Sequence, residues 1–174
     1  LKQELALTTS NLKTWMRPKQ VKVPFSLQPG KAKVISEPLG CVLIIGPWNY
    51  PFMLTIHPLI SALAAGNTAV LKPSEHAPAT SQLIVKLVSK YFPKDVVQAL
   101  EGNAEFSENL LKNKFDHIFF TGGGEIGKKV MEAAAKNLTP VTLELGGTNP
   151  AIVLSGADIE ITAKRIVWGK SINA

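Results

Sequence analysis

Cys41-Val42-Leu43-Ile44-Ile45-Gly46 is a continuous apolar run closed by a glycine. A strand with one face in water alternates apolar and polar residues; an unbroken apolar run marks a strand covered on both faces, as in a parallel sheet flanked by helices. The segments after it repeat the theme. A helical stretch is expected over 55–65, closed by Gly66, and a second short strand over 68–71. A helix over 78–92 presents Leu83, Ile84, Leu87, Val88, Tyr91 and Phe92 on one side. A strand over 96–100, a short helix over 103–112, a strand over 117–120 and a helix over 125–137 follow. Next come a strand ending at Glu144, a strand over 151–154 and a helix opened by Asp158 as its N-cap. Regular alternation of strand and helix predicts an α/β fold, a doubly wound, mostly parallel Rossmann-like sheet.

Residues 1–40 read differently. A helix with Leu5, Leu12, Trp15 and Met16 at helical spacing ends at Pro18. Val21, Val23, Phe25 and Leu27 then face Ala32, Val34 and Ile35 across Pro29-Gly30, which predicts a β-hairpin with a tight turn. The expected organisation is an N-terminal helix and hairpin arm over 1–40, a bridging or oligomerisation element. A nucleotide-binding domain over 41–174 follows it.

Composition narrows the function. The chain has 174 residues, 45% hydrophobic and 18% charged, with a net charge of +6, ordinary for a globular protein. No run of five or six like charges occurs, and aromatics are not interleaved with the cations, so nucleic acid is not an expected partner. One cysteine, Cys41, excludes an internal disulfide and points to an intracellular setting, cytoplasmic or on the cytosolic face of an organelle. The longest apolar stretch, 51–66, is interrupted by Thr55, His57, Pro58 and Ser61 and is too short to span a bilayer. Membrane association would therefore have to come from a C-terminal tail outside this sequence. No metal site is expected. Cys41 and His57 are read as core and structural residues, the cysteine lying inside a strand where burial raises a thiol's pKa.

In a doubly wound sheet, ligands bind outside the carboxyl ends of the strands. Four loops leave those ends. Gly46-Pro47-Trp48-Asn49-Tyr50-Pro51 holds Asn49 in a proline-bounded turn, where its amide could donate to a developing oxyanion or serve the turn itself. Lys72-Pro73-Ser74-Glu75 places a lysine and a glutamate where they can bond ribose hydroxyls, the glutamate disfavouring a 2′-phosphate. Thr121-Gly122-Gly123-Gly124-Glu125-Ile126-Gly127 enters a helix whose N-terminus suits a pyrophosphate. It is neither Gly-x-Gly-x-x-Gly with a following acid nor a Walker loop. Leu143-Glu144-Leu145-Gly146-Gly147 sets a carboxylate at the end of a strand expected to be buried, where desolvation raises its pKa toward that of a general base.

Pro47-Trp48-Asn49-Tyr50-Pro51-Phe52, Ala64-Ala65-Gly66-Asn67 with Val70-Leu71-Lys72-Pro73-Ser74-Glu75, Phe120-Thr121-Gly122 and Leu143-Glu144-Leu145-Gly146-Gly147 resemble, in identity, order and spacing, the successive signatures of the aldehyde dehydrogenase superfamily. The class 3 and fatty-aldehyde branch is the nearest likeness. The resemblance implies an enzyme that oxidises an aldehyde, medium- or long-chain aliphatic or aromatic, to its acid. NAD is the implied cofactor, with NADP second, and a homodimer the implied assembly. Asn49 would be the oxyanion amide and Glu144 the general base. Lys72 and Glu75 would hold the adenine ribose, and 122–127 the pyrophosphate. Ile45, Trp48, Ser74 and Thr121 would add cofactor contacts, and Leu145 and Gly146 would line the nicotinamide pocket.

In that mechanism a cysteine thiolate attacks the aldehyde, hydride leaves, and the glutamate activates water against the thioester. Two departures are mild: Thr148 stands where many members carry lysine, and Gly123-Gly124 where Ser-Thr or Asn-Thr is common. The nucleophile's Gly-Gln-x-Cys motif would follow Asn173-Ala174, so these 174 residues alone are expected to be inactive. The competing expectation is a non-catalytic nucleotide-binding module.

Overall fold

The computed structural model describes residues 1–173; Ala174, expected inside or just after the last helix, lies outside the described residues. Lys2–Trp15 form α1, and the chain leaves the helix ahead of Pro18, which cannot continue it. Lys19–Val21 (β1) and Ala32–Val34 (β2) pair antiparallel, Lys19 opposite Val34 and Val21 opposite Ala32. The ribbon is shorter than the expected hairpin and its connection is not tight. Phe25–Leu27 form a 3₁₀ turn, with the Leu27 N–H donating to Pro24 O at 2.9 Å and the Gly30 N–H to Leu27 O at 2.8 Å. Pro24 and Pro29 have no N–H for a ladder, so pairing stops between them.

The remaining elements are β3 (Cys41–Ile45), α2 (Met53–Ala64), β4 (Thr68–Lys72), α3 (Pro78–Tyr91), β5 (Val97–Ala99), α4 (Ala104–Leu110), β6 (His117–Gly122), α5 (Gly124–Ala135), β7 (Val141–Leu145) and α6 (Ile159–Ser171). Five strands make one parallel sheet in the order β5-β4-β3-β6-β7. The order runs outward in one direction from β3 to β5 and in the other through β6 to β7, so β3 and β6 flank the switch point.

β3 explains its own composition. Val42 and Ile44 enter one core with Leu59 of α2 and Ile84 and Val88 of α3. Leu43 and Ile45 enter the opposite core with Ile118, Phe120 and Val130 of α5. A strand that feeds two cores can spare no polar position.

Helix ends follow local chemistry. The side chain of Asn103 accepts from Phe106 N–H at 3.0 Å, and that of Asp158 accepts from Ile161 N–H at 3.0 Å, capping α4 and α6 as expected. Gly66 closes α2 with φ of +83°, in the region glycine enters without strain.

One expected strand is not formed. Residues 151–154 form no regular element and pair with no strand, with Ile152 and Leu154 exposed. A strand needs a partner ladder, and past β7 the chain turns away through Gly146, Gly147 and Asn149, the last at φ of +41°. β7, paired only to β6, is thus an edge of the sheet.

Candidate active site

The carboxyl ends of β3, β4, β6 and β7 open into one groove of about 1620 Å³. The first wall is the turn after β3. Its start is fixed by close packing: a Cβ on Gly46 would collide with Thr55 Oγ1, and Thr55 is fully buried, its hydroxyl donating to Pro51 O at 2.7 Å. The Gly46 N–H donates to Lys72 O at 3.0 Å, which joins this turn to the next one. Ile45, Trp48 and Asn49 line the groove. The Tyr50 hydroxyl donates to Ile172 O at 3.2 Å, tying the turn to the end of α6. The Asn49 amide makes no hydrogen bond among the described residues.

The second wall is the end of β4. Lys72 is 2% exposed and donates to Glu75 Oε2 at 2.7 Å and to Pro73 O at 3.0 Å. Such a buried ammonium is tolerable only because it is paired and bonded. Burial works to raise the Glu75 carboxyl, but the hydrogen bond and charge of Lys72, a backbone hydrogen bond and His76 together hold it below its ordinary value of 4.5. Ser74 is buried, its Oγ accepting from the His76 N–H at 3.3 Å.

The third wall is the turn between β6 and α5. Gly123 is the N-cap of α5 with no side-chain cap, and a Cβ on Gly123 or Gly124 would meet nothing within 4 Å. The first-turn N–H groups of α5 are therefore bare at the positive end of the helix dipole, a place for an anion. Thr121, Gly122, Gly123, Gly124 and Ile126 line the groove. Glu125 and Gly127 do not. Glu125 points to solvent and pairs with Lys128 at 2.8 Å. Gly127 is buried, and a Cβ there would come within 2.9 Å of Leu145 Cδ2, so this glycine lets α5 sit on β7.

The fourth wall is the end of β7. The β6–β7 register sets Thr121 beside Glu144 and Gly122 beside Leu145, so the carboxylate adjoins the glycine turn. Glu144, Leu145 and Gly146 line the groove. Glu144 is exposed rather than buried. Its strand is the sheet edge, and the desolvation expected around it is missing.

Cys41 also departs from expectation. It is half-buried and opens β3, its N–H donating to Asp116 Oδ2 at 2.8 Å, at the end of the strand away from these loops. His57 faces Glu4 at 3.5 Å and joins α1 to α2.

The residue-by-residue reading missed one side of the groove. Ala104, Ser107 and Glu108 of α4 and Lys129 and Val130 of α5 line it as well, Lys129 lying 3.9 Å from Glu108. Their signal was present as helical spacing, 104/107/108 and 126/129/130. It identifies a helix face, and only the placement of α4 and α5 in the fold shows which way that face looks.

The site is thus a doubly wound parallel sheet with a bare helix N-terminus beside its switch point and a lysine–glutamate pair at the end of the neighbouring strand β4, an α/β architecture. The model of the aldehyde dehydrogenase family matches residues 6–174, and the chain belongs to that family. It is 48% identical over 170 residues to aldehyde dehydrogenase family 3 member H1 of Arabidopsis thaliana, covering 98% of this chain and 35% of that protein. It is 46% identical over 171 residues to the dimeric NADP-preferring aldehyde dehydrogenase of Mus musculus, covering 98% and 38%. Among solved structures, the substrate-bound AldH of Staphylococcus aureus superposes with a TM-score of 0.89 at 43% identity, over 97% of this chain and 37% of that one. Betaine aldehyde dehydrogenase of the same organism, in complex with NAD+, superposes with a TM-score of 0.78 at 32% identity, over 96% and 34%. The chain thus spans about a third of the length of the relatives it matches.

Proposed function

We propose that this chain is the cofactor-binding part of an enzyme that oxidises an aldehyde to a carboxylic acid through a cysteine thioester, with a nicotinamide dinucleotide as hydride acceptor. The observation that carries the reading is that Asn49, the bare α5 N-terminus and Glu144 all open on one groove. The residues fit the cofactor: Gly123 and Gly124 leave room for phosphates, and the Lys72–Glu75 pair is placed to meet ribose hydroxyls. Ile45, Trp48, Ser74, Thr121, Leu145 and Gly146 are assigned to the same ligand, and Glu125 and Gly127 act on α5 rather than on the ligand.

Asn49 donates to the oxyanion that forms when the thiolate adds to the aldehyde. Glu144 takes a proton from water as it attacks the thioester carbonyl, releasing acid and thiolate. The nucleophile is assigned to a Gly-Gln-x-Cys motif beyond residue 174, Cys41 being at the wrong end of β3. We further assign a preference for NAD over NADP, aliphatic or aromatic aldehydes as substrates, a homodimer in which the helix and hairpin arm of residues 1–40 are the bridging element, and an intracellular location. Among the described residues no helix is long and apolar enough to cross a membrane.

A module that only binds nucleotide gives Asn49 and Glu144 no task. Rapid mixing of the full-length protein with NAD and aldehyde separates the readings. Glu144→Gln should retain a burst of NADH but lose steady turnover by about 10²–10⁴-fold. Equal loss of burst and steady rate would remove Glu144 from the base's role.

A further inference from the structure

Asn49 and Tyr50 are consecutive, yet their side chains serve different places. Asn49 lines the groove and Tyr50 does not. The Tyr50 hydroxyl instead donates to Ile172 O at 3.2 Å, across a separation of 122 residues. Ile172 is the C-cap of α6, and the last carbonyls of a helix have no partner inside it. Tyr50 satisfies one of these acceptors from outside. Among the described residues no other hydrogen bond or ion pair joins residues 146–173 to the rest of the chain.

The tyrosine end of this bond is firmly held. The Leu54 N–H donates to Tyr50 O at 2.9 Å and the Ile56 N–H to Phe52 O at 3.0 Å. The Thr55 hydroxyl donates to Pro51 O at 2.7 Å, so the turn is built into the start of α2. What the hydroxyl holds in place is the end of α6, and with it Asn173, which lines the groove together with Asn49.

We propose that Tyr50 is a positioning residue: its hydroxyl latches the end of α6 to the Asn49 turn, so that a nucleophile on the segment that follows is delivered within reach of the Asn49 amide. The inference rests on the enzymatic reading. Asn49 and that nucleophile are far apart in sequence, and a rate that depends on their separation falls when either is displaced, although both groups remain. A cofactor contact would act on NAD binding instead, and Tyr50 does not face the groove.

The test is rapid mixing of the full-length Tyr50→Phe protein with NAD and aldehyde; the substitution removes one oxygen and keeps the ring. The NADH burst should slow by about fivefold to tenfold, the worth of one hydrogen bond, while NAD affinity and the melting temperature stay near those of the wild type. In an Asn49→Ala background the same substitution should cost about twofold or less, because the latch then has no amide to hold the nucleophile against and the two effects do not add. An unchanged burst in Tyr50→Phe, or an equal cost in both backgrounds, would overturn the latch and leave the enzymatic reading in place. So would a fall in NAD affinity or melting temperature that accounts for the slower burst. A wild-type protein with no burst would remove the enzymatic reading, and the latch with it.

Discussion

Lys72 and Glu75 form a lopsided ion pair: the lysine is 2% and the glutamate 34% exposed, and their charged atoms lie 2.7 Å apart. The ammonium has left water and depends on the carboxylate, which still reaches the groove. Glu75→Gln should therefore cost about 1–2 kcal/mol in denaturant unfolding, the lower end of the range for a hydrogen bond to a charged group because the carboxylate remains wet. If the unfolding midpoint is unmoved, Lys72 finds its compensation elsewhere.

The same substitution tests cofactor choice. A negative charge beside the ribose repels a 2′-phosphate, so Glu75→Gln in the full-length protein should shift the ratio of kcat/KM for NAD over NADP toward NADP by about tenfold, equivalent to about 1.4 kcal/mol. An unchanged ratio would free Glu75 from that role.

Acid should weaken the fold in two separable steps. His117 is desolvated, which lowers its pKa from 6.5, so the unfolded chain takes up protons first. Its share of stability is full above pH 6.5 and declines as pH falls below it. Glu75 is depressed below 4.5, so the stability it brings is present above that pH and lost as pH falls through its lower folded value. Unfolding free energies measured against pH should lose the first step in His117→Asn and the second in Glu75→Gln. Persistence of either step in its variant would reassign it.

Two glycines of the groove should respond in opposite ways to alanine. Gly46→Ala drives a methyl into the buried Thr55 and should cost about 1–3 kcal/mol, as overpacking does. Gly123 has open space around it and φ of −75°, so Gly123→Ala should leave stability within about 0.5 kcal/mol but weaken dinucleotide binding by narrowing the approach to the α5 N-terminus. Equal effects on melting and on cofactor titration would mean that the turn's role is structural.

Cys41→Ser in the full-length protein should leave aldehyde oxidation unchanged, since the thiol stands at the amino end of β3 beside Asp116 and does not line the groove. Loss of turnover in this variant would contradict the placement of the nucleophile beyond residue 174.

The sequence by itself determined those features whose cause is local. The run 41–45 is apolar because its strand feeds two cores. Gly66, Asn103 and Asp158 mark helix ends because capping is a matter of neighbouring backbone groups. The four loops could be placed together because parallel strands joined by crossovers bring all their carboxyl ends to one side.

The tertiary structure alone decided what depends on partners distant in the chain. Strand order set Glu144 beside Thr121, and the edge position of β7 left that glutamate exposed. The apolar residues 151–154 had every local mark of a strand except a neighbour to pair with. Helical spacing defined a face on α4, and the place of α4 in the fold turned it toward the groove. In each case the side chains specify a tendency, whereas exposure and pairing are properties of what stands next to them in space, which residue spacing does not encode.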